Sequence, residues 1–171
     1  MVICFFNNHT SCFMRIEKID NLNRRLIDEF ILKHWYTTKM IVRGKEIDMT
    51  DTEGFYVVEC DEIVALITYI IYEDSMEIMS LDSLNENNGI GTLLLEQVVE
   101  EAKKSGCKKI VLITTNDNIN AIRFYQKRGF DMANLFRNAM EVSRRMKPEI
   151  PLIGDNSIPL RHEIEFEMIL E

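Results

Sequence analysis

Three apolar segments with very short polar breaks between them constrain the fold of this chain more than any other feature. They span residues 55–60, 63–72 and 76–84, with two and three residues in the breaks. Segments joined by so few residues pair as antiparallel neighbours, because a parallel crossover needs about a dozen residues. The segments therefore predict an antiparallel meander.

Before the meander, the sequence predicts one strand, one helix and a loop. Residues 13–19 alternate enough for a first strand, and Asp20 or Asn21 can cap the helix that follows. Residues 34–52 have neither the helical nor the strand period, so they predict a long loop. The apolar side of the predicted helix carries Leu22, Leu26, Ile27, Phe30 and Ile31.

After the meander, the patterns predict alternating helices and strands. Apolar residues recur at helical spacing beyond Gly91 until Gly106 ends that helix. Residues 108–115 are apolar at the centre without alternation, as expected of a strand covered on both faces. Such a strand–helix–strand unit beside hairpins predicts a mixed sheet. The remaining predicted elements are helices at 118–127 and 140–146 and strands at 130–136 and 161–170.

Length and charge bound the domain organisation and the partners. A chain of 171 residues with 46% hydrophobic residues predicts a single domain spanning residues 1–171. Residues 1–12 look unlike a folded element and are expected to be disordered, with Met14 open as an alternative start. The net charge of −8 argues against nucleic acid as a partner, because a phosphate-binding surface needs a clustered basic excess. The same charge is compatible with a site for a cationic amine.

The cysteines and the apolar start of the chain provide information about metal binding, membrane association and cellular location. The four cysteines show no CxxC spacing and stand far in sequence from His34 and His162, so we expect no metal site. Scattered cysteines without a secretory segment fit a cytoplasmic protein. The apolar run at the start is too short for a membrane span and has no basic region before it, so we expect no membrane association.

A glycine-bearing turn at Leu84-Asn-Glu-Asn-Asn-Gly-Ile-Gly-Thr92 is the first motif that carries chemistry. Here a strand ends and a helix begins, so backbone N–H groups can converge on an anion with the helix dipole behind them. The motif is not a dinucleotide fingerprint, because glycine would be needed at Leu94. No Gly-Lys-Ser/Thr follows, so it is not a Walker loop either.

The second motif is Asn118-Ile-Asn-Ala-Ile-Arg-Phe-Tyr-Gln-Lys-Arg-Gly-Phe130. Asn118 and Tyr125 are seven residues apart, which is two turns along one helix face. Both side chains could therefore meet a ligand lying beside the helix.

Together the two motifs, with a strand between them, resemble the Gcn5-related N-acetyltransferase (GNAT) family over residues 55–136. The resemblance implies an α/β (α+β) fold with a mixed, mostly antiparallel sheet flanked by helices, which splays between residues 76–84 and 108–115 to hold the pantetheine arm. The co-substrate that it implies is acetyl-coenzyme A, with no metal. It also implies that Tyr125 protonates the departing thiolate. The implied coenzyme-binding residues are Leu84, Asn88, Gly89, Ile90, Gly91, Thr92, Asn118 and Asn120.

Two features of the turn depart from the family pattern. Glu86 stands where the family usually has glutamine or arginine, and its carboxylate would repel the pyrophosphate unless it points away or pairs with Lys127 or Arg128. Neither Asn87 nor Asn88 is basic, so the remaining phosphate of the nucleotide has no obvious partner.

The implied chemistry is direct attack of an uncharged amine on the thioester, which needs three helpers. A backbone N–H near Ser83 or Leu84 would orient the carbonyl, Tyr125 would act as the acid, and a base would take a proton from the ammonium. The candidates for the base stay open: Glu62, Glu77, Asp82, His34 and His162. Trp35, Tyr36, Met40 and Arg43 could line an acceptor pocket, with Arg43 binding a carboxylate or phosphate.

We therefore predict an N-acetyltransferase that acts on a primary amine of a small molecule or peptide. One alternative is a non-catalytic coenzyme A-binding or regulatory module, and another is an unrelated domain that binds a different phosphate at the Gly89 turn. We expect the apolar alternation from Ile164 to Met168 to be exposed, so that the final strands of two copies could pair as a homodimer.

Overall fold

The computed structural model describes residues 2–3, 13–84 and 89–171. Their strands form one eight-stranded sheet in the order β1-β2-β5-β6-β7-β8-β10-β9 and a separate two-stranded hairpin, β3-β4. Neighbouring strands are antiparallel except β7 and β8. The strands are β1 (Val2–Ile3), β2 (Met14–Lys18), β3 (Lys39–Val42), β4 (Lys45–Asp48), β5 (Glu53–Glu59), β6 (Glu62–Tyr72), β7 (Ser75–Ser83), β8 (Lys109–Thr115), β9 (Asp131–Phe136) and β10 (Glu163–Ile169). The helices are α1 (Arg24–Trp35), α2 (Ile90–Lys104), α3 (Ile119–Gln126) and α4 (Ala139–Met146).

The meander and the mixed sheet are confirmed. β5, β6 and β7 pair in sequence, and the tight turn between β5 and β6 has left-handed backbone at Cys60 and Asp61, as two-residue hairpin turns require. Val2–Ile3 pairs with β2, where the sequence analysis expected disorder. Residues 1 and 4–12 lie outside the described residues.

Helices cover the two faces of the sheet and create two apolar clusters. The larger cluster lies under α2 and α3 and contains Leu94, Val98 and Tyr125, and the smaller lies under α1 and the β3-β4 hairpin. In α1, Ile27, Phe30 and Ile31 are buried as predicted. Leu22 is exposed because it lies before α1, where Asp20 accepts hydrogen bonds from the N–H groups of Leu22 and Asn23. Leu26 lies within α1 and is also exposed.

The long loop predicted at residues 34–52 is wrong. Most of this stretch is the β3-β4 hairpin, whose turn residues Arg43 and Gly44 both have positive φ, 50° and 69°. A short 3-10 turn, Met49–Asp51, follows it, with Asp48 accepting a hydrogen bond from the Thr50 N–H. The hairpin therefore lies against α1 and one face of the sheet and can position side chains there.

The last strand lies inside the sheet, not at its edge. β10 pairs with β8 on one side and with β9 on the other. Phe166 is buried, and Ile164 and Met168 pack against the larger cluster. The prediction that the alternating residues from Ile164 to Met168 are exposed is therefore wrong. Both edges of β10 are paired within the sheet, so neither edge is open to a second copy. β8 also differs from expectation, because only one of its faces, with Ile110 and Leu112, is fully covered.

None of the described helices has the length and apolar character needed to cross a membrane. Within the same residues, no group of three or more His, Cys, Asp or Glu side chains is arranged to hold a metal ion.

Candidate active site

The parallel strands β7 and β8 separate at their carboxyl ends. Their pairing runs only from Ser75 opposite Lys109 to Ile78 opposite Leu112. β7 nevertheless continues to Ser83 and β8 to Thr115. This confirms the splayed sheet and leaves a gap bordered by the last residues of both strands.

A bulge in β7 accounts for the separation. Tyr69 of β6 faces Ile78 and Thr68 faces Ser80, so Met79 is an extra residue in β7. An extra residue bends the strand that carries it and increases its twist. β7 therefore turns away from β8 at the point where their pairing ends.

Backbone groups of β7 point into the gap. Successive residues of a strand direct their N–H groups to opposite edges. The Leu84 N–H donates to the Val64 carbonyl at 2.8 Å, so it points toward β6 and is used inside the sheet. The N–H groups of Leu81 and Ser83 consequently face the gap. Of the two amides predicted to orient a carbonyl, the Ser83 amide has the required direction and the Leu84 amide does not.

The start of α2 presents backbone N–H groups at the place where the sequence predicted an anion cradle. Gly89 is the N-cap with φ 78° and supplies no side-chain cap. Its carbonyl accepts the N–H groups of Thr92 and Leu93, which leaves the N–H groups of Ile90 and Gly91 pointing out of the first turn. The Ile90 side chain is buried, so this residue can contribute only its backbone. Asn88 lies outside the described residues.

Helix α3 carries the second predicted motif. The Asn118 side chain accepts a hydrogen bond from the Ala121 N–H at 3.0 Å and caps the helix, while Asn120 is exposed in the first turn. Tyr125 is buried between Phe124 and Phe130, with ring centroids 5.1 and 5.4 Å away. Burial raises the pKa of Tyr125 well above its usual value, Asp82 raises it further, and Arg128 lowers it. The phenol therefore stays protonated at neutral pH.

Asp82 differs from the other candidates for the base in the hydrogen bonding of its two carboxylate oxygens. The Trp35 Nε1–H donates to its Oδ1 at 3.1 Å. Its Oδ2 is buried and has no hydrogen-bond partner among the described residues. Burial raises the pKa of Asp82, and hydrogen bonds from Trp35 and Ser80 together with the charge of His34 oppose that rise. Asp82 thus lies on the α1 side of the sheet with one carboxylate oxygen bound to Trp35 and the other without a hydrogen-bond partner among the described residues.

Of the remaining candidates for the base, Glu77 and His162 accept hydrogen bonds, Glu62 is remote, and His34 stays open. Both carboxylate oxygens of Glu77 accept Nη2 of Arg43 at 2.7 Å. His162 Nδ1 accepts the Asn138 N–H at 3.0 Å, and the His34 ring lies 4.5 Å from that of Phe30. Glu62 is exposed at the β5-β6 turn, away from the gap.

Arg43 binds carboxylates of β7 and β10 and holds the hairpin against the sheet. Its guanidinium binds Glu77 and Glu165, and its backbone N–H donates to Glu163. Glu163 is buried, which raises its pKa. Of the other predicted acceptor-pocket residues, Trp35 binds Asp82, Met40 packs in the smaller cluster and Tyr36 is exposed. A cavity of about 420 Å³ opens between the Arg43–Gly44 turn, the end of β9 and α4.

Arg128 reaches the start of α2 from the end of α3, a contact that the sequence did not indicate. Its Nε donates to the Thr92 hydroxyl at 3.1 Å and its Nη1 to the Phe124 carbonyl at 2.8 Å. The guanidinium lies 3.6 Å from the centroid of the Phe124 ring. Glu86, for which the sequence left open pointing away or pairing with Lys127 or Arg128, lies outside the described residues.

Comparisons with known proteins agree with this geometry. The model of the acetyltransferase (GNAT) family matches residues 14–130. The uncharacterized protein YdhI of Bacillus subtilis is 46% identical over 153 residues, which are 89% of this chain and 96% of YdhI. An IAA acetyltransferase from Bacillus cereus superposes with a TM-score of 0.70 at 22% identity, covering 92% of this chain and 99% of that one. A GNAT family acetyltransferase from Elizabethkingia anophelis, with acetyl-CoA bound, superposes with a TM-score of 0.66 at 21% identity, covering 92% and 98%.

Proposed function

Because this chain belongs to the GNAT family of acetyltransferases, we propose that it transfers the acetyl group of acetyl-coenzyme A to a primary amine of a small molecule or peptide. The observation that supports transfer to an amine is a pair of side chains near the gap, one suited to accept a proton and one suited to donate a proton. Asp82 lies on the α1 side and Tyr125 on the α2 side, and the charge of Asp82 acts on the pKa of Tyr125.

The residues at the gap fit the coenzyme. The N–H groups of Ile90 and Gly91 open toward an anion, and the first turn of α2 contains no acidic residue. The N–H group of Leu81 faces the gap, where a carbonyl could accept a hydrogen bond. When bound, acetyl-coenzyme A supplies the thioester from which the acetyl group is transferred.

Asp82 prepares the amine for attack. An alkyl ammonium group has a pKa of about 10, so a proton must leave it before it can act as a nucleophile near pH 7. The Oδ2 atom of Asp82 accepts that proton, directly or through water, while the hydrogen bond from Trp35 holds Oδ1 in place. Burial raises the pKa of Asp82 and so makes it a better base than an exposed aspartate.

Tyr125 supplies a proton on the opposite face of the sheet. Its buried phenol is protonated at every pH at which the enzyme would work, because burial raises its pKa. A proton from the hydroxyl would neutralise the sulfur as the thiol leaves. Phe124 and Phe130 hold the ring on two sides, so its direction is fixed by packing.

The test is thiol release from acetyl-coenzyme A in the presence of a panel of amines, with the acetylated product identified by mass. The panel should include polyamines, amino acids, aminoglycosides and peptides with free N-termini. Amine-dependent thiol release that depends on Asp82 supports the proposal. Coenzyme binding without transfer to any amine would instead favour a non-catalytic coenzyme A-binding module.

A further inference from the structure

The face of the sheet that carries Asp82 holds a second carboxylate, Glu163 at the start of β10. Only 3% of Glu163 is exposed, and it lines the cavity between the Arg43–Gly44 turn, the end of β9 and α4. Its Oε2 accepts the Arg43 N–H at 3.1 Å, while Oε1 accepts no hydrogen bond from the described residues. Glu163 therefore keeps one carboxylate oxygen for a donor group of a ligand in the cavity.

The charges around the cavity favour a cation. The Arg43 guanidinium binds Glu77 and Glu165 at 2.7 and 3.1 Å, and these two carboxylates already exceed its single positive charge. Glu163 adds a third carboxylate, and burial raises its pKa while Arg43 opposes part of that rise. Arg137 also lines the cavity, but it is exposed, so solvent screens its charge. A cation inside the cavity would therefore stabilise the ionised form of Glu163.

Glu163 and Asp82 lie on one face of the sheet, at a distance that a single extended molecule can span. Glu163 pairs with Thr115, the last residue of β8, so both side chains lie on the face that the hairpin covers. Asp82 lies on the same face, where it binds Trp35 of α1. Only β8 separates β7 from β10, and two strand spacings of about 4.8 Å place the two residues roughly 10 Å apart, or more where the sheet splays.

We propose that the acceptor is a diamine or polyamine, whose reacting nitrogen lies at Asp82 and whose second ammonium group binds Glu163 in the cavity. This inference rests on the proposed function. The ammonium group donates a hydrogen bond to Oε1 of Glu163, and its charge offsets the excess of carboxylates. Apolar side chains form most of the remaining cavity wall and suit a methylene chain: Leu135, Phe136, Ala139 and Val142.

Matched acceptors test the proposal on the wild-type protein. Octylamine and diaminooctane have the same chain length and differ by the second amine, aminooctanoic acid carries a carboxylate instead, and spermidine represents the polyamines. We expect kcat/KM for diaminooctane and spermidine to exceed that for octylamine by about tenfold to hundredfold, as for one charge-assisted hydrogen bond. The difference should lie mainly in KM, because the second ammonium group binds equally in the ground state and the transition state. Aminooctanoic acid should be a poorer acceptor than octylamine.

Glu163→Gln tests the residue itself, with Glu167→Gln as the matched control. Glu167 lies on the same strand and face, but it pairs with Lys109 at the opposite end of β8. The preference for diaminooctane over octylamine should fall to near one in Glu163→Gln and keep its wild-type value in Glu167→Gln. This ratio compares two substrates of one enzyme, so a general loss of activity or stability cancels. Should Glu163→Gln fail to fold, the wild-type comparison decides alone.

Other outcomes overturn the inference. Equal kcat/KM for octylamine and diaminooctane in the wild type would do so, as would a preference for diaminooctane that survives Glu163→Gln. A preference for aminooctanoic acid would assign the cavity to an anion bound by Arg137, and transfer only to amines without a second ammonium group would exclude a diamine acceptor. Acetyl transfer to an amine stands in each of these cases, whereas transfer to no amine at all would mean that the proposed function itself fails.

Discussion

Replacing Asp82 by asparagine should make the protein more stable and much less active. Asparagine keeps the shape of the side chain and an oxygen that can accept the Trp35 Nε1–H, so the contact between β7 and α1 should persist. What disappears is the carboxylate charge, and with it the ability to take a proton from the amine.

The stability effect follows from the pKa of Asp82. Burial raises the folded-state pKa above the unfolded value of about 3.9, so the folded state binds the proton more tightly. The resulting stabilisation is fully present below the unfolded pKa and is lost as the pH rises through the folded pKa. At pH 7 the ionised Asp82 therefore lowers the free energy of unfolding.

The size of the gain is modest because the asparagine amide also remains polar in a buried position. Leaving a buried polar atom without a hydrogen bond costs about 1–3 kcal/mol, and Asp82 Oδ2 is such an atom. Relief of the charge alone should gain about 1 kcal/mol, near the lower end of this range. For a chain of this size, that raises the melting temperature by about 2–4 °C.

The catalytic effect should be far larger. Loss of a general base lowers the rate by about 100-fold to 10,000-fold, so we expect kcat to fall by at least about 100-fold at pH 7. In the wild type, kcat/KM should rise with pH through the raised pKa of Asp82. In the variant that rise should vanish, leaving only the increase caused by deprotonation of the free amine near pH 10.

Melting curves and steady-state kinetics from pH 5 to 10 test both effects, with Asp28→Asn as the matched control. Like Asp82, Asp28 has a pKa raised by burial and a buried oxygen without a hydrogen-bond partner among the described residues. Unlike Asp82, it lies on α1 near residues 49–52 and not on β7. The control should keep the wild-type kcat. An Asp82→Asn variant with wild-type rate and pH profile would refute Asp82 as the base, and a less stable variant would refute the argument from its buried charge.

Three further substitutions test other parts of the account. Tyr125→Phe should lower kcat by about 100-fold, measured by thiol release, and leave the calorimetric Kd for acetyl-coenzyme A within about twofold; equal loss of both would contradict its role as the acid. Arg43→Met leaves the buried Glu77 without its partner and should cost about 3 kcal/mol in thermal unfolding, with partial recovery on adding Glu77→Gln; additive losses would argue against the pair. Gly154→Ala places a Cβ 1.9 Å from Asp117 Oδ2 and should cost about 1–3 kcal/mol in denaturant unfolding; an unchanged midpoint would show that this loop moves easily.

Local patterns were enough to predict most of the fold. The short breaks of the meander, Gly106 after α2 and the Asn118 cap of α3 each act over a few residues, and all three are confirmed. The position of β10 between β8 and β9 is decided by pairing between distant segments, so the alternation of Ile164 to Met168 could not reveal it. The β3-β4 hairpin was missed because its turn, Arg43–Gly44, lies in a stretch without a clear period.

The identity of the base depends on one bulge that the sequence does not reveal. Glu77 and Asp82 are five residues apart, so strict alternation would send their side chains to opposite faces of β7. The extra residue at Met79 brings both to the face covered by the hairpin and α1, where Glu77 meets Arg43 and Asp82 meets Trp35. The sequence could therefore name Asp82 as one of several carboxylates but could not select it.

Calorimetric titration with acetyl-coenzyme A, with ATP and NADH as controls, tests the central claim most directly. The splayed strands and the cradle at α2 predict one site per chain with micromolar affinity for acetyl-coenzyme A and much weaker binding of both controls. No binding of acetyl-coenzyme A, or equal binding of ATP, would contradict the claim that the gap between β7 and β8 holds an acetyl donor.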